Sequence, residues 1–554
     1  MPPRVDADDE VAREAARLRW ELARLRSRRG VRAALLASGA AGARRGGPRD
    51  VLATLRGRRV VEDLDVIAPA TVRRRMPYPH LDVIHLGEDP PFAAAAPHRR
   101  LTPQDPDALR RQPPDLVVLD APAQLADWPA QARSELREAL PAAGAVVAVI
   151  TSEADAAEAA TWPLELAVTL PGGPEVAGTT MLELLPGVDP WSDNPVGWRR
   201  TPQWAAVALG EGLDPAHGLP TIGEVAEATD AGAVVLGDVA SPTGAASALR
   251  LAARGIPVVV SAVAAVPDGL AEVVVRAQAG ELEREAAELG SDLDARERHS
   301  VATRRRVLGA HDHRARFEAV LGALGVPLRG PERISVLLAT RRPALLLDAA
   351  RQVAAQDHPD VELVAALHGE GFDERAETEL ARAVDIPVQV VRVPASAPLG
   401  DVLNAALDRA TGTLIAKMDD DDLYGPGHLS DLVVALGYSG ADVVGRRANE
   451  VHLVDDDITV SQELDRQERW AHHLPGATLL LPADVLRAVR FRRVPRGIDT
   501  QLLRSVHAVG GSAYATHRFG FIRRRHGDEH TYARDVEAGH DAARPGLDRT
   551  VLDV

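Results

Sequence analysis

Four consecutive aspartates, Asp419, Asp420, Asp421 and Asp422, follow the apolar run TLIAKM at residues 413–418 and lead into the turn LYGPG at 423–427. Carboxylates this close repel one another by about 1 kcal/mol per pair at 4 Å in water, and several-fold more in a half-buried site. A fold gains nothing structural from crowding them there. A divalent cation removes the conflict. Hard oxygen ligands suit Mg2+ or Mn2+, ions that commonly bridge one or two carboxylates to the phosphates of a bound nucleotide. The competing explanation is a solvated acidic turn or helix start, where aspartate is favoured for capping and dipole reasons. A second concentration of chemistry is RRRHGDEHTY at 523–532, with three arginines and two histidines. Such a run is either a solvated basic face or an arginine clamp for a diphosphate.

The elements around the aspartates favour a functional role. After the turn RGP at 329–331 the pattern alternates strand and helix: strand 334–339, helix 343–356, strand 361–367, helix 373–384, strand 388–393, helix 399–410, strand 413–418. This is parallel α/β construction. It places the carboxylates at the C-terminal end of a strand, where ligands of open α/β sheets bind.

The chain of 554 residues is too long for one core, and about 150 residues per domain suggests three or four. No apolar run approaches the roughly 18 residues that span a bilayer, and the start MPPRVDADDE lacks the apolar stretch of a signal peptide, so the expected location is the cytoplasm. A net charge of −16 argues against nucleic acid as a partner. The absence of cysteine excludes disulfides, thiolate metal sites and cysteine nucleophiles. Basic residues are almost all arginine, and Lys417 is the single lysine.

Residues 8–28 read as a helix with an apolar stripe at Val11, Ala15, Leu18, Leu22 and Leu25, suited to docking on the chain's own body or to dimerisation. Residues 37–49 read as a linker. From 50 to 330 short apolar runs again alternate with helical segments; strand candidates are 81–85, 116–119, 145–150, 234–236 and 257–261. A Pro- and Trp-containing stretch at 186–220 suits a crossover between two lobes, and 296–326 a closing helical piece.

The C-terminal block resembles the family 2 glycosyltransferases, whose nucleotide-sugar-binding fold is called GT-A. The resemblance rests on SVLLATRRP (335–343), QVAAQDHPDVELV (352–364), LGDVLNAALDRATGTLIAKMDDDDLYGPGHL (399–429) and GIDTQLL (497–503), in the family's order. It implies that an Asp-x-Asp element, matched by Asp419 and Asp421, holds the metal and the nucleotide diphosphate, with Asp421 the foremost ligand. Asp420 and Asp422 would contact ribose or donor sugar, or cap the helix starting near Gly427. Inverting members use an aspartate as general base, and Asp499 matches it, although Ile498 stands where an acid is common; the alternative is that Asp499 caps a helix at 500–509. His530 would be a third metal ligand, by likeness to a C-terminal His-Thr-aromatic element. Thr340 and Arg342 match the loop against the nucleotide, and His368 takes the place of a base-contacting Asp-Asp-Gly-Ser.

Residues 233–261 with 296–325 resemble the C-terminal lobe of the two-lobed GT-B glycosyltransferases, in which Ser241, Thr243 and Gly244 would occupy the donor-phosphate loop. The acidic residues and basic pair of active members are not evident, so the module reads as degenerate or as one that binds a partner or acceptor, with an active second transferase as the alternative. The expected architecture is therefore α/β throughout: a helix and linker (1–49), two Rossmann-type lobes (50–195 and 196–330), a GT-A domain (331–535) and a tail (536–554). The function implied is a metal-dependent, inverting hexosyltransferase that moves sugar from a nucleotide-diphosphate donor to a glycan or lipid-linked acceptor of the cell envelope. Peripheral contact with the inner membrane face and oligomerisation are compatible with it. The competing functions are a nucleotidyl or glycerophosphate transferase, which uses the same metal chemistry, and a noncatalytic glycan- or partner-binding scaffold.

Overall fold

A computed structural model of the chain describes residues 75–86, 92–100, 102–103, 108–120, 122–209, 219–278, 280–526 and 540–554. The helix read at 8–28, the linker at 37–49 and His530 lie outside the described residues. Two units are resolved, Arg74–Gly330 and Pro331–Val554 within a unit that closes the chain.

The first unit holds two parallel sheets. β1 (Val83–Leu86), β2 (His98–Arg100), β3 (Leu116–Leu119), β4 (Val146–Ile150), β5 (Leu166–Thr169) and β6 (Thr180–Glu183) form one, in the order β2-β1-β3-β4-β5-β6. β7 (Val207–Leu209), β8 (Thr221–Ile222), β9 (Val234–Leu236), β10 (Val258–Ser261) and β11 (Val274–Ala277) form the other, in the order β11-β10-β9-β7-β8. The central strands β1, β3 and β9 are buried at every position, as expected of parallel strands covered on both faces. The strands missed by sequence reading are short or polar; β2 reads HRR and β6 TMLE, and both are partly exposed. Helix α1 (Pro242–Ala253) follows β9. The closing segment splits into α2 (Leu293–Ala310) and α3 (His313–Ala323), with the break at His311 and Asp312. Phe317 of α3 packs on Tyr78 and Phe92, each at 5.5 Å, so the last helix of the unit returns to the first sheet.

Histidines in this unit are largely held neutral. Burial lowers the pKa of His85, His98, His299 and His313, and lowers His311 to about 4, where the charge of Arg316 adds to the effect. Such an imidazole binds its proton less well folded than unfolded. The stability it contributes is present above its unfolded pKa of about 6.5 and is lost as pH falls. Asp312, raised to about 6 by burial, has the opposite sign over the same window, but one carboxyl offsets at most one histidine. A net loss of about 2 kcal/mol between pH 7 and pH 5 would lower Tm by about 4–8 °C. Calorimetry of the full chain, with hydrogen exchange to place the softening within residues 75–330, checks this. A Tm that rises toward pH 5 contradicts it.

The second unit is built on an eight-stranded sheet and a five-stranded sheet. In chain order its strands are β12 (Ile334–Thr340), β13 (Val361–His368), β14 (Val388–Val393), β15 (Leu414–Met418), β16 (Leu423–Tyr424), β17 (Val443–Gly445), β18 (Asn449–Leu453), β19 (Ile458–Gln462), β20 (Arg469–Trp470), β21 (Leu480–Pro482), β22 (Ala513–Ala515), β23 (Phe521–Arg525) and β24 (His540–Pro545). The large sheet runs β14-β13-β12-β15-β21-β17-β22-β20, parallel from β14 to β15 and antiparallel where β21 joins. The small sheet runs β16-β23-β18-β19-β24. Residues read from sequence as a tail thus contribute β24, which pairs with β19, and Arg544 of that strand reaches the buried Glu450 at 2.7 Å.

Helices α4 (Pro343–Ala354), α5 (Leu399–Leu407), α6 (His428–Ser439) and α7 (Ile498–Ala508) complete the elements that position the site. Leu403, Ala406 and Leu407 of α5 and Leu502, Leu503 and Val506 of α7 enter one core cluster with Leu337 of β12 and Ile415 of β15. Burying side chains of this size stabilises by roughly 1.5–3 kcal/mol each. That core packs β15 with α7, and Lys417 near the end of the strand stands 3.8 Å from Asp499 in the first turn of the helix.

Candidate active site

β15 ends at Met418, and the aspartates turn directly into β16, whose two residues pair with β23 (Leu423 with Ile522, Tyr424 with Phe521). This short antiparallel pairing brings the arginine strand over the acidic turn. Two glutamines of the α4 region hold the turn's backbone. Gln352 donates to the carbonyl of Asp422 at 3.2 Å and accepts from Tyr424 N–H at 2.9 Å, and Gln356 donates to the carbonyl of Gly425 at 2.9 Å. Tyr424 Oη accepts the N–H of Asp419 at 2.8 Å and donates to the carbonyl of Ala477 at 3.0 Å, linking the acidic turn to the loop at Gly476.

The four carboxylates have four environments. Asp420 is buried and held by Thr340 Oγ1 and by Arg342, whose Nε lies 3.1 Å from Asp420 Oδ2. Arg342 also reaches Asp421 at 2.9 Å. Burial alone would lower its pKa, but the bonds and charges of Asp420 and Asp421 raise it above the usual guanidinium value. Asp422 is buried and accepts the N–H of Arg524 at 2.9 Å; burial, then the charges of Asp419 and Asp421, push its pKa up to about 7. Asp419 is the most open of the four and faces Lys417 Nζ at 2.6 Å. Burial opposes the Lys417 charge, but Asp419 and then Asp499 outweigh it and raise its pKa.

Asp499 lies in the first turn of α7 and faces the same cavity. The helix is opened by Gly497 in the left-handed conformation, φ 70°, with no side-chain cap, so capping by Asp499 is not what the structure shows. Likewise α6 is preceded by Gly427 with no side-chain cap, so neither Asp420 nor Asp422 caps it. Asp499 Oδ1 is buried without a hydrogen-bond partner among the described residues, and Lys417 Nζ stands 3.8 Å away. A Cβ at position 476 would overlap the Asp499 carboxylate, so only glycine leaves room for it there. Gly476 and Lys417 are the site residues that sequence reading passed over. Lys417 was marked by being the single lysine, whereas Gly476 carried no local signal.

The cavity has a volume of about 1410 Å³ and is lined by Thr340, Arg342, His368, the four aspartates and Asp499 together. His368 is buried, and Arg341 engages both of its ring nitrogens at 2.9 Å; burial, then the Arg341 charge, lowers its pKa. Arg341 is thus the more available member of that pair for a ligand. In the first unit, Ser241 caps α1 by accepting Gly244 N–H at 3.2 Å, and the Asp238 carboxylate accepts the N–H groups of Ala240 and Ser241. A carboxylate of the chain therefore occupies the loop amides that a donor phosphate would need.

Residues 336–472 match the model of Glycosyl transferase family 2. This stretch is a family 2 glycosyltransferase domain. A comparison with curated proteins finds no match for the chain. Among solved structures, mannosyltransferase PcManGT from Pyrobaculum calidifontis in complex with GDP-Man and Mn2+ is 18% identical, with 40% of this chain and 67% of that chain covered and a TM-score of 0.29. TarS 1-349 from S. aureus in complex with UDP-GlcNAc is 17% identical, with 37% and 62% covered and a TM-score of 0.30. The chain spans 37% of the length of the longer TarS chain it matches.

Of the four aspartates of the acidic turn, Asp419 and Asp421 are the more open, at 40% and 16% side-chain exposure. Among the described residues no three His, Asp or Glu side chains are arranged to hold an ion by themselves. The donor set fits a Mg2+ or Mn2+ site in which the protein gives one or two carboxylates and ligand phosphates complete the shell.

Proposed function

We propose that the chain is an inverting glycosyltransferase that moves a sugar from a nucleotide-diphosphate donor to a hydroxyl of a glycan or lipid-linked acceptor. The observation that carries this reading is the meeting of Asp499, with its unbonded Oδ1, and the acidic turn in one cavity. Asp419 and Asp421 would hold a divalent cation, which would supply charge to offset the negative charge that develops on the leaving diphosphate. Asp499 Oδ1 accepts the proton of the acceptor hydroxyl as its oxygen bonds to the anomeric carbon. The bond from that carbon to the diphosphate oxygen breaks on the opposite face, and the nucleotide diphosphate leaves with the electron pair. Lys417 keeps Asp419 and Asp499 apart in charge, and Arg342 holds Asp420 and Asp421 in register. Arg523 on β23 faces Asp422 and supports a role for that strand in gripping the diphosphate.

The test is a panel of nucleotide sugars with and without Mn2+, read by thermal stabilisation and release of nucleotide diphosphate. The matched donor at about 100 times its dissociation constant should add about 2.7 kcal/mol of stability. Asp421→Asn is expected to lose the Mn2+-dependent part of that gain. A variant that responds like wild type removes the metal assignment, and release of pyrophosphate in place of nucleotide diphosphate favours a nucleotidyl transferase.

A further inference from the structure

The cavity has two unlike ends. Its surplus positive charge, on Arg341, Arg524 and Arg525, lies with the acidic turn, where Arg524 N–H bonds Asp422 and Arg525 feels the charges of Asp422, Asp421 and Asp419. Beside Asp499 the charges close on one another. Arg493 is taken by Asp401 at 2.7 Å, and Arg496 and Asp499 bring opposite charge to either side of Gly497 and Ile498. The remainder of that end is aliphatic. Ala397, Pro398 and Leu399 at the start of α5 line it together with Val494, Pro495 and Ile498 at the start of α7. A Cβ at Gly400 would fall 2.3 Å from the carbonyl oxygen of Arg492, so the two segments lie directly against each other and form one wall. Pro398, Leu399 and Pro495 are exposed. Few large apolar side chains are exposed among the described residues, and Leu399, at 43%, is the one that lines this cavity.

A single exposed leucine is ordinary on a protein surface. A whole aliphatic wall beside the proton-accepting oxygen is a property of the site, because an acceptor hydroxyl that reaches Asp499 Oδ1 comes to rest beside it. A glycan acceptor presents hydroxyls that need partners, and such a wall leaves them unpaired at a cost. No Phe, Tyr or Trp is among the described residues that line the cavity, so none offers a flat face to a sugar ring. On the glycosyltransfer reading, on which this inference rests, we propose that the acceptor carries an aliphatic chain next to the attacked hydroxyl, laid along Pro398, Leu399 and Pro495. Burial of that chain holds the hydroxyl at Asp499 without an ion pair, and the charged end of the cavity stays with the donor.

The wild-type chain and its donor test this with glycerol and its methyl, butyl and hexyl ethers as acceptors, and with methyl glucoside and methyl cellobioside as the glycan arm. Each methylene that leaves water is worth about fourfold, so kcat/KM should rise about tenfold or more from the methyl to the hexyl ether, mainly through KM. Leu399→Ser should cut that rise about threefold or more while kcat/KM for glycerol stays within about twofold of wild type, and Leu399→Met should keep it. Leu399 is exposed, so serine there leaves the core intact. Loss of fold would lower every acceptor alike, which the glycerol arm detects, and the wild-type series then decides. A rate indifferent to chain length overturns the inference alone, as does a glycan used better than the hexyl ether or a rise that survives Leu399→Ser. No release of nucleotide diphosphate from any donor with any acceptor overturns the underlying reading instead.

Discussion

Asp499→Asn should lower kcat for sugar transfer by about 10²–10⁴-fold, the range that general-base catalysis supplies. Asparagine keeps the shape that fits over Gly476, so the cavity and its donor contacts persist and donor KM should change little. What is lost is a carboxylate oxygen in the cavity that is buried without a hydrogen-bond partner among the described residues. The Lys417 ammonium keeps its 2.6 Å partner Asp419, so the substitution does not strand a buried cation. Steady-state kinetics with the matched donor, beside thermal stabilisation by that donor, separates loss of chemistry from loss of binding. A variant within about twofold of wild type would remove Asp499 from the reaction.

Gly476→Ala should separate activity from stability more sharply than any change to a charged residue. The added methyl would overlap the Asp499 carboxylate, and that carboxylate is the movable end of a side chain, not backbone. The chain can therefore accommodate the substitution by turning Asp499 aside. A displacement of about 1 Å in a reacting group can cost about 10²-fold in rate, whereas the fold loses little packing. The expected result is a large fall in kcat with Tm within a few degrees of wild type. In an Asp499→Ala background the same glycine substitution should cost almost nothing further, because the two residues act through one contact. Additive losses in that cycle would mean Gly476 matters for a separate reason.

The parallel part of the second unit was legible because its strands are long and apolar. β12, β13 and β14 fall within one residue of the boundaries expected from sequence, and each is followed or preceded by an amphipathic helix. The rest of that unit was not. β16, β20, β21 and β22 have two or three residues each, too few to show a period, and they exist because tertiary pairing holds them. The candidate site divides in the same way. The aspartates announce themselves by crowding, and Asp499 by motif order, but their partners come from distant segments. Arg342 lies 78 residues from Asp420, and Arg524 lies 102 residues from Asp422. The role of Gly476 depends on α7 packing across the loop that contains it, which spacing along the chain does not encode. Composition drew attention to Lys417, yet only the fold reveals that it stands between Asp419 and Asp499.

That lysine makes the protein its own reporter. In a chain of 554 residues a single ε-ammonium exists, and it is buried between two of the cavity's acids. Cells fed isotope-enriched lysine would yield a magnetic resonance spectrum with one side-chain signal, free of overlap despite the size of the molecule. Every event in the cavity, from entry of a paramagnetic ion to departure of product, would be written on that one line.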